Sequence, residues 1–400
     1  MRVLQINSCN FGSTGGIMLN LAKVAREEGI DAYTAFPDSR SNEKKKTDKS
    51  IIIGNRYLRN LHLKLAQITG MNGCFSIFDT ARFLRNVDKL KPDIIHLHNL
   101  HNCYINLPML FQYIKRNKVK VVWTLHDCWA FTGQCPYFTM ARCDKWKTGC
   151  GECSQYKKYP QSCVDRTDVM YRLKKKWFTG VRDMVIVTPS EWLADLVRQS
   201  FLKNYEVKVI NNGIDLSVFR PVKSDFRKRY GLENKYVILG VASPWTERKG
   251  FDVFSELEKE LDDRFRIVLV GVNDEQRAGL AENIIGINRT SNQAELAEIY
   301  SAADVFANPT REDNFPTVNI EAIACGTPVV TFDTGGSGEM IDKSCGSVVS
   351  CDDVAAFGQE LCRVCEEKPY SESDCVLRAK QYGMKDKFRE YVRLYVSLGE

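Results

Sequence analysis

The sequence predicts an α/β protein of two doubly wound, Rossmann-like domains, and three observations lead to this fold class. Its 400 residues exceed what one hydrophobic core usually organises, so two domains of about 150–200 residues each are expected. Short β-branched apolar runs alternate with amphipathic stretches of helical length, which is typical of a parallel sheet with connecting helices. Turn formers and a proline interrupt this alternation once, between residues 211 and 221, and it then begins again.

The first half contains the first series of strands and helices. Buried strands are predicted at residues 3–6, 93–97, 121–125, 185–188 and 207–210. Helices are predicted over residues 15–28 and 191–197. Ser190 is expected to cap the second helix, because its hydroxyl can accept a hydrogen bond from a free backbone N–H group.

The second half repeats the pattern and ends in a helix. Strands are predicted at residues 236–242, 265–270, 304–307 and 329–332, with helices over 250–261 and 293–302. Residues 385–398 carry apolar side chains three and four apart, which predicts an amphipathic terminal helix. We therefore expect one domain at 1–211, a second at 212–382 and a terminal helix at 383–400.

Composition excludes several classes of protein. The 56 basic and 50 acidic residues leave a net charge of only +6, too little to indicate a nucleic-acid partner. No run of about 18 apolar residues and no signal-peptide core is found, so a cytoplasmic protein is expected. With 44% hydrophobic residues the chain has enough apolar material for compact folding.

Two loops that follow predicted strands are candidate phosphate sites, because ligands gather at the carboxyl ends of parallel strands. Gly15 and Gly16 lie in a glycine-rich loop before a helix, where backbone N–H groups can bind an anion. A tight turn that needs glycine is the alternative reading. Arg248 and Lys249 also open a helix, and two cations at its positive end suggest a diphosphate between them, unless they are simply solvated.

The segment from Arg311 to Gly326 concentrates candidate chemistry. Glu312 and Asp313 precede a proline-containing turn, and Glu321 lies on a short helix that ends at Gly326. Carboxylates accept hydrogen bonds from sugar hydroxyls. Paired acids also serve hydrolysis, but the two nearby cations favour a phosphorylated donor. The intervening residues of the turn, Asn314, Phe315 and Pro316, are included in the predicted donor site.

A histidine marks a second candidate site in the first half. His126 follows the strand at 121–125, where a neutral imidazole can contact a substrate hydroxyl or act as a general base. His96, His98 and His101 crowd the end of the neighbouring strand, and a structural role is expected for at least some of them.

Residues 128–163 are rich in cysteine and form a predicted insertion. Cys143, Cys150, Cys153 and Cys163 are numerous enough for a tetrahedral structural zinc site, although their spacing is irregular and reduced thiols are the alternative. Residues 170–178 mix lysines with aromatics. That composition suits an anionic membrane surface, or a helix whose Leu173 and Trp177 pack inward while its lysines are solvated.

These residues together resemble the retaining family 4 glycosyltransferases of the GT-B fold, most closely the bacterial branch that builds colanic-acid-like, capsular or other exopolysaccharides. The likeness spans nearly the whole chain. It rests on the following motifs: Gly15-Gly16, Thr124-Leu125-His126-Asp127, Pro189-Ser190, Asn212-Gly213-Ile214-Asp215 with Phe219 and Pro221, Arg248-Lys249-Gly250, and the run from Glu321 to Val330.

The resemblance implies a fold and residue roles. Two Rossmann-like domains would face a cleft, the first on the acceptor side and the second holding the nucleotide-sugar, with the terminal helix crossing back to the first. Glu321 matches the acid on the ribose, and Asp313 matches the acid near the transferred sugar, a role that Glu312 could also fill. Ser243 stands where the family often has an arginine, so Arg248 would supply that charge beside Lys249.

The resemblance also implies an activity. We expect transfer with retention from a UDP- or GDP-sugar to a glycan or lipid-linked acceptor, with His126 contacting the donor sugar and no catalytic metal or other cofactor required. The leaving diphosphate would be stabilised electrostatically. Peripheral contact with the inner face of the plasma membrane fits such an acceptor. The alternative is a non-catalytic nucleotide-sugar-binding subunit of a polysaccharide-assembly complex, which the departures at Asp313 and Ser243 keep open.

Overall fold

The computed structural model describes residues 1–43 and 46–400 and divides them into two compact units. Unit 1 comprises residues 1–211 and 387–400, and unit 2 comprises residues 212–386. Each has its own parallel sheet and its own hydrophobic core, so each unit is described separately.

Unit 1 is built on a seven-stranded parallel sheet in the order β3-β2-β1-β4-β5-β6-β7. Its strands are β1 Arg2–Ile6, β2 Asp31–Pro37, β3 Ser50–Ile53, β4 Ile94–Leu97, β5 Lys120–Thr124, β6 Met184–Thr188 and β7 Glu206–Val209. The order reverses direction between β1 and β4. In doubly wound sheets, ligands bind beyond the carboxyl ends of the strands at such a reversal.

Three helices of unit 1 start at a polar residue whose side chain accepts a hydrogen bond from a free backbone N–H group. They are α1 Gly12–Glu27, α2 Arg40–Glu43, α3 Arg56–Thr69, α4 Ile77–Leu90, α5 Leu107–Asn117, α6 Thr167–Phe178 and α7 Glu191–Gln199. Ser190 accepts from the Leu193 N–H at 3.2 Å, which confirms the predicted cap of α7. Asn55 and Asn106 cap α3 and α5 in the same way.

The cysteine-rich residues between β5 and α6 contain two short 3-10 turns, at Cys128–Phe131 and Lys145–Lys147. Trp146 is buried between Phe131 and Phe138, at ring distances of 5.3 and 5.1 Å. This aromatic packing gives the insertion a small core, which is continuous with the main core of unit 1.

Unit 2 repeats the architecture with a six-stranded parallel sheet in the order β10-β9-β8-β11-β12-β13. Its strands are β8 Tyr236–Val241, β9 Phe265–Val270, β10 Ile284–Ile287, β11 Val305–Asn308, β12 Val329–Asp333 and β13 Gly346–Ser350. Its helices are α8 Phe226–Arg229, α9 Phe251–Glu260, α10 Asp274–Ala278, α11 Gln293–Ser301, α12 Thr317–Ala324, α13 Val354–Glu367 and α14 Glu372–Ala379. The reversal lies between β8 and β11, which places the ends of both strands at the candidate site.

The last helix, α15 (Met384–Gly399), returns the chain to unit 1. The predicted apolar stripe is its buried face, formed by Phe388, Tyr391, Val392, Leu394 and Tyr395. Tyr395 reaches His96 at the carboxyl half of β4 with a hydrogen bond of 2.5 Å, and Arg389 pairs with Glu28 after α1 at 2.9 Å. The expected crossing back of the terminal helix is therefore confirmed, as is the α/β fold class.

Among the described residues, no helix is both long enough and apolar enough to cross a membrane.

Candidate active site

The loop between β11 and α12, residues 309–316, forms the centre of the candidate site in unit 2. Arg311 fixes this loop, because its guanidinium binds two neighbouring loops at once. It donates to both carboxylate oxygens of Asp252 at 2.8 and 2.7 Å, to Asp352 at 2.5 Å and to the Glu247 carbonyl at 2.7 Å. Ion pairs of this bidentate kind hold geometry as well as charge, so the predicted acids that follow Arg311 are held on an ordered backbone.

The two predicted phosphate-binding cations contact the predicted acids directly. Lys249 forms an ion pair with Asp313, and both side chains are about one-fifth exposed, at 20% and 18%. Arg248 donates to the backbone carbonyl of Glu312 at 2.7 Å. Asp313 therefore offsets the charge of Lys249, while Arg248 also positions the loop.

A turn that the sequence analysis missed supports Asp313 from the other side. Gly335 has φ +56°, and a Cβ at this position would lie 1.8 Å from the Asp313 carbonyl oxygen. The N–H group of Gly336 donates to that same oxygen at 3.2 Å. The Gly335-Gly336 pair that follows β12 was the available signal, since only glycine permits such an approach of two backbones.

A buried amide connects the same turn to the helix that carries Glu321. Asn319 is fully buried; its oxygen accepts from Asn308 at 2.7 Å and its nitrogen donates to the Ser337 carbonyl at 3.0 Å. The end of β11, α12 and the turn after β12 are thereby held together, and sequence reasoning did not single out this residue.

Glu321 lies on α12 and is half-buried. It accepts a hydrogen bond from the hydroxyl of the fully buried Tyr300 at 3.2 Å. Burial raises the pKa of Glu321 to about 7, although hydrogen bonds from Tyr300 and Thr317 favour its charged form. A carboxyl group with that pKa changes between hydrogen-bond donor and pure acceptor near neutral pH.

The remaining predicted donor residues of this loop pack inward. Asn314 and Phe315 are buried, and the Phe315 ring lies 5.9 Å from that of Tyr382. Pro316 is the N-cap residue of α12 in an extended conformation. Glu312 is buried as well, so Asp313 is the more accessible of the two candidate acids.

In unit 1, the glycine pair lies inside a helix rather than in the loop before it. Helix α1 begins at Gly12, three residues earlier than predicted, which places Gly15 and Gly16 in its first turns. A Cβ at Gly15 would lie 2.6 Å from the Asn10 carbonyl carbon, so Gly15 is needed for packing. A Cβ at Gly16 would meet nothing within 4 Å, so this position has open space beside it.

His126, two residues after β5, is held by His98, which directly follows the neighbouring strand β4. The two rings are stacked at 5.4 Å, and His98 Nδ1 lies 3.1 Å from His126 Nε2. His98 Nε2 faces the Gln5 amide oxygen at 3.1 Å and must donate to it, because that oxygen only accepts. Neutral His98 then accepts at Nδ1 from His126 Nε2–H, which leaves His126 Nδ1 as an acceptor.

Burial keeps both rings neutral. It lowers the pKa of His126 to about 4 and that of His98 well below its usual value. The ring of His126 therefore stays neutral over the whole neutral pH range, with Nδ1 as a hydrogen-bond acceptor. His98 and Gln5 were not assigned this supporting role from the sequence.

Asp127 and His101 form a second buried pair beside His126. His101 Nε2 lies 3.0 Å from Asp127 Oδ2, and the other oxygen of Asp127 accepts from the Trp129 N–H at 2.9 Å. Burial of Asp127 opposes ionisation, but His101 and the Trp129 N–H outweigh it and lower the pKa of this carboxyl. The far nitrogen of His101 contacts the Tyr159 hydroxyl at 3.0 Å, which extends the pair to the cysteine-rich insertion.

His96 has a structural role, as expected for at least one of these histidines. It is fully buried, and its two ring nitrogens bond Tyr395 at 2.5 Å and Thr124 at 2.8 Å. It also stacks on His98 at 4.1 Å. The terminal helix thus contacts the layer of side chains directly behind His126.

The cysteine-rich insertion groups a different set of thiols from the predicted one. Cys135, Cys143, Cys150 and Cys153 line one cavity of about 250 Å³. Cys163 is exposed and its backbone N–H donates instead to the Gln67 carbonyl at 2.7 Å. Across residues 1–43 and 46–400, no three His, Cys, Asp or Glu side chains are grouped so that they could hold a metal ion.

The architecture defines the class of protein. The structure matches HepE of Anabaena in complex with UDP with a TM-score of 0.71, over 99% of this chain and 100% of that chain, at 16% sequence identity. Two doubly wound units with a C-terminal helix that returns to the first constitute the GT-B fold of glycosyltransferases.

The sequence then places the chain within that class. Residues 17–218 match the model "Glycosyltransferase Family 4" and residues 235–367 match "Glycosyl transferases group 1". The first match alone covers half of the chain, so the chain belongs to glycosyltransferase family 4 and is a retaining, nucleotide-sugar-dependent glycosyltransferase. The resemblance noted in the sequence is confirmed.

Two individual relatives share less than 30% sequence identity with this chain. The chain is 24% identical over 425 aligned positions to the putative colanic acid biosynthesis glycosyl transferase WcaC of Escherichia coli K12, with both chains covered completely. It is 28% identical over 187 positions to an N,N'-diacetylbacillosaminyl-diphospho-undecaprenol alpha-1,3-N-acetylgalactosaminyltransferase of Campylobacter jejuni, covering 44% of this chain and 49% of that relative.

Proposed function

We propose that this glycosyltransferase moves a sugar from a UDP- or GDP-sugar to a hydroxyl of a glycan or lipid-linked acceptor in the synthesis of a cell-surface polysaccharide. The full-length similarity to a putative colanic acid glycosyltransferase supports the process. The similarity to an enzyme named for a diphospho-undecaprenol substrate supports the lipid-linked acceptor. The fold shared with a UDP complex supports the donor class.

The observation that carries the donor site is the Lys249–Asp313 ion pair at the end of β11. We assign Lys249 and Arg248 to the donor diphosphate. A diphosphate brings more negative charge than one carboxylate, so it competes with Asp313 for Lys249. Its arrival would free the Asp313 carboxylate to accept from hydroxyls of the transferred sugar. Glu312 remains the second candidate for that role.

Glu321 is assigned to the ribose hydroxyls of the nucleotide. A carboxylate accepts from two adjacent hydroxyls, and its charge is acceptable in a buried place once those hydrogen bonds form. Because the pKa of Glu321 is about 7, hydrogen bonds from the ribose hydroxyls would shift this carboxyl group toward its charged form near neutral pH. The other predicted donor residues, Gly15, Gly16 and Asn314 to Pro316, shape the surroundings of the donor in this proposal.

The proposed chemistry retains the anomeric configuration without a glycosylated side chain. The bond from the anomeric carbon to the diphosphate oxygen breaks, and its electron pair leaves with the diphosphate. The acceptor oxygen attacks from the same face, and its proton passes to the departing phosphate oxygen. Arg248 and Lys249 stabilise the negative charge that develops there, which is electrostatic catalysis. His126 accepts a hydrogen bond from a sugar hydroxyl through Nδ1.

A panel of UDP-, GDP- and ADP-sugars tests the donor class by thermal shift. Binding to the folded state raises the melting temperature by mass action, so one UDP- or GDP-sugar should stabilise the protein. Lys249→Ala and Glu321→Ala should abolish the shift, and Lys259→Ala on α9 should preserve it. A protein that responds to none of these nucleotide-sugars would refute the proposal.

A further inference from the structure

Helix α3 and the first turn of α4 expose an unusual amount of apolar surface. Seven of the sixteen exposed large apolar side chains among the described residues fall between residues 57 and 78. Phe78 is 85% exposed, Tyr57 78% and Ile68 62%. Single exposed apolar residues are ordinary, but a cluster of this size marks an interaction surface.

The exposed residues of α3 lie along one side of the helix. Tyr57, Leu58, Leu61 and Ile68 follow the three- and four-residue spacing of one face, and the opposite face buries His62 and Ala66 in unit 1. The helix is therefore apolar on the solvent side as well as on part of its inner side, unlike an ordinary surface helix.

Two contacts bring the start of α4 beside α3, so that the exposed residues belong to one region. His62 Nδ1 lies 2.7 Å from the hydroxyl of Ser76, which immediately precedes Ile77 and Phe78. A Cβ at Gly54 would lie 2.6 Å from Asp79 Oδ2, so the turn before α3 also touches the first turn of α4. We call this region, α3 with Ile77 and Phe78, the apolar face.

Charge indicates what the apolar face binds. Residues 54–91 hold seven basic and two acidic side chains, a surplus of +5 in a chain whose total is +6. Helix α3 itself has no acidic residue, and Lys64, Arg82, Arg85 and Lys89 are exposed. Anionic lipid headgroups attract such basic clusters, and exposed apolar side chains can enter the layer beneath the headgroups.

We propose that the apolar face docks on a membrane surface that carries anionic lipids. The segment at residues 170–178, for which the sequence allowed membrane contact, does not offer such a surface. It forms α6, whose Met170, Tyr171, Lys174 and Phe178 are buried. Trp177 packs against the core of unit 1, as expected, and Leu173 is partly buried. Its aromatic residues contribute to the core, whereas those of α3 and α4 face outward.

A second copy of this chain fits the face less well. A twofold dimer would place the same surface of each copy together, and the surplus positive charge of both copies would then be brought close. Membrane docking has no such repulsion.

The location also agrees with a lipid-linked acceptor, and in this respect the inference rests on the proposed function. Arg59, Leu63 and Gln67, along one side of α3, line a cavity of about 300 Å³, and Tyr159 lines it from the insertion. The Tyr159 hydroxyl bonds His101, which pairs with Asp127 beside His126. A saccharide at the membrane would thus be close to the candidate site of unit 1.

Co-sedimentation of the full chain with vesicles tests the proposal. We expect binding to phosphatidylcholine vesicles that contain phosphatidylglycerol, weaker binding to phosphatidylcholine alone, and loss of binding at high salt because salt screens the charges. Leu61→Glu combined with Ile68→Glu should weaken partitioning about tenfold or more. Arg82→Glu with Arg85→Glu should weaken it through charge alone.

Leu377→Glu, at a residue of α14 that is 61% exposed, is the matched control and should bind as the unaltered protein does. Melting temperatures check that each variant folds. Absence of binding to anionic vesicles, or unchanged binding by both variants, would overturn the proposal. So would a dimer in light scattering that Leu61→Glu dissociates, since the occupant would then be a second copy. Nucleotide-sugar binding is measured without vesicles, so its failure is a separate result.

Discussion

At the scale of single residues, the candidate site depends on buried groups that set the protonation of their neighbours. Gln5 fixes the position of the proton on His98, and His98 in turn fixes the position of the proton on His126. The hydrogen bond of His98 to Gln5 therefore determines that His126 presents Nδ1 as an acceptor. Burial similarly decides that Glu321 titrates near neutral pH. Both effects depend on where side chains meet in space.

Replacing His98 tests the first of these effects. His98→Leu should lower kcat by about tenfold or more, because His126 loses the acceptor that fixes its tautomer. His98→Asn should restore part of the activity, since its amide oxygen can take the place of Nδ1. Nitrogen NMR of the His126 ring should show Nε2 protonated in the unaltered protein. An unchanged tautomer in His98→Leu would contradict this account.

The substitution Glu321→Gln should affect the stability of the protein and its binding of the donor in opposite directions. Burial raises the folded-state pKa from 4.5 to about 7, so the folded protein binds this proton more tightly than the unfolded chain. The contribution of Glu321 to stability is therefore present below about pH 4.5 and is lost as the pH rises through about 7.

The variant should consequently melt higher than the unaltered protein at about pH 8, and the difference should shrink toward about pH 5. Donor binding should be lost in the variant because an amide cannot replace both acceptors of the carboxylate. A difference in melting temperature that does not vary with pH would show that Glu321 is not a buried titrating group.

Gly335 provides a test of the backbone beneath Asp313. Gly335→Ala places a methyl group 1.8 Å from the Asp313 oxygen at a φ of +56°, so the loop has to move. We expect a loss of stability of about 1–3 kcal/mol and weaker donor binding. Gly279→Ala, whose Cβ would meet nothing closer than 3.7 Å, is the control. Equal effects of the two substitutions in urea unfolding would argue against a close backbone contact.

At the scale of elements, hydrophobic patterning predicted the central strands well. The strands at 265–270 and 329–332 and the helix at 293–302 agree with β9, β12 and α11 within a residue. The strands β2, β3, β10 and β13 were not predicted. Each lies at or next to an edge of its sheet. Strands β3, β10 and β13 are only four or five residues long and have one buried residue each, and polar residues interrupt the apolar run of β2.

The residues of the candidate site that follow central strands could be predicted from the sequence, but the contacts between them could not. Residues directly after strong strands, such as His126 and Asp313, could be named because the ends of parallel strands meet. The ion pair of Lys249 with Asp313 could not, since it joins positions 64 residues apart. Neither could the roles of Gly335 and Asn319, which arise from a close backbone contact and from side-chain hydrogen bonds between separate elements.

Replacing Tyr395 tests how much the terminal helix α15 contributes to the stability of unit 1. Tyr395→Phe keeps the ring in the core but leaves His96 Nδ1 buried without its hydrogen bond. We expect a loss of about 1–3 kcal/mol in the free energy of unfolding. Val396→Ala, at the exposed neighbouring residue, should have little effect. If Tyr395→Phe unfolds at the same urea concentration as the unaltered protein, the hydrogen bond between Tyr395 and His96 does not stabilise unit 1.

At the scale of the whole molecule, the chain duplicates one architecture and gives the two copies different chemistry. Unit 1 carries the neutral rings of His98 and His126, a hydrogen-bonded pair of His101 with Asp127, and the apolar face. Unit 2 carries the cations and acids expected to hold a nucleotide-diphosphate. We propose that these residues together transfer a sugar with retention of its anomeric configuration.

Proton NMR of the transferred sugar tests that claim most directly. Purified protein is incubated with the donor identified by thermal shift and with an acceptor glycan, and the anomeric signals are followed with time. We predict release of the nucleoside diphosphate and a product whose anomeric configuration equals that of the donor, both abolished by Lys249→Ala. A product of inverted configuration, or turnover that persists unchanged in Lys249→Ala, would contradict the account.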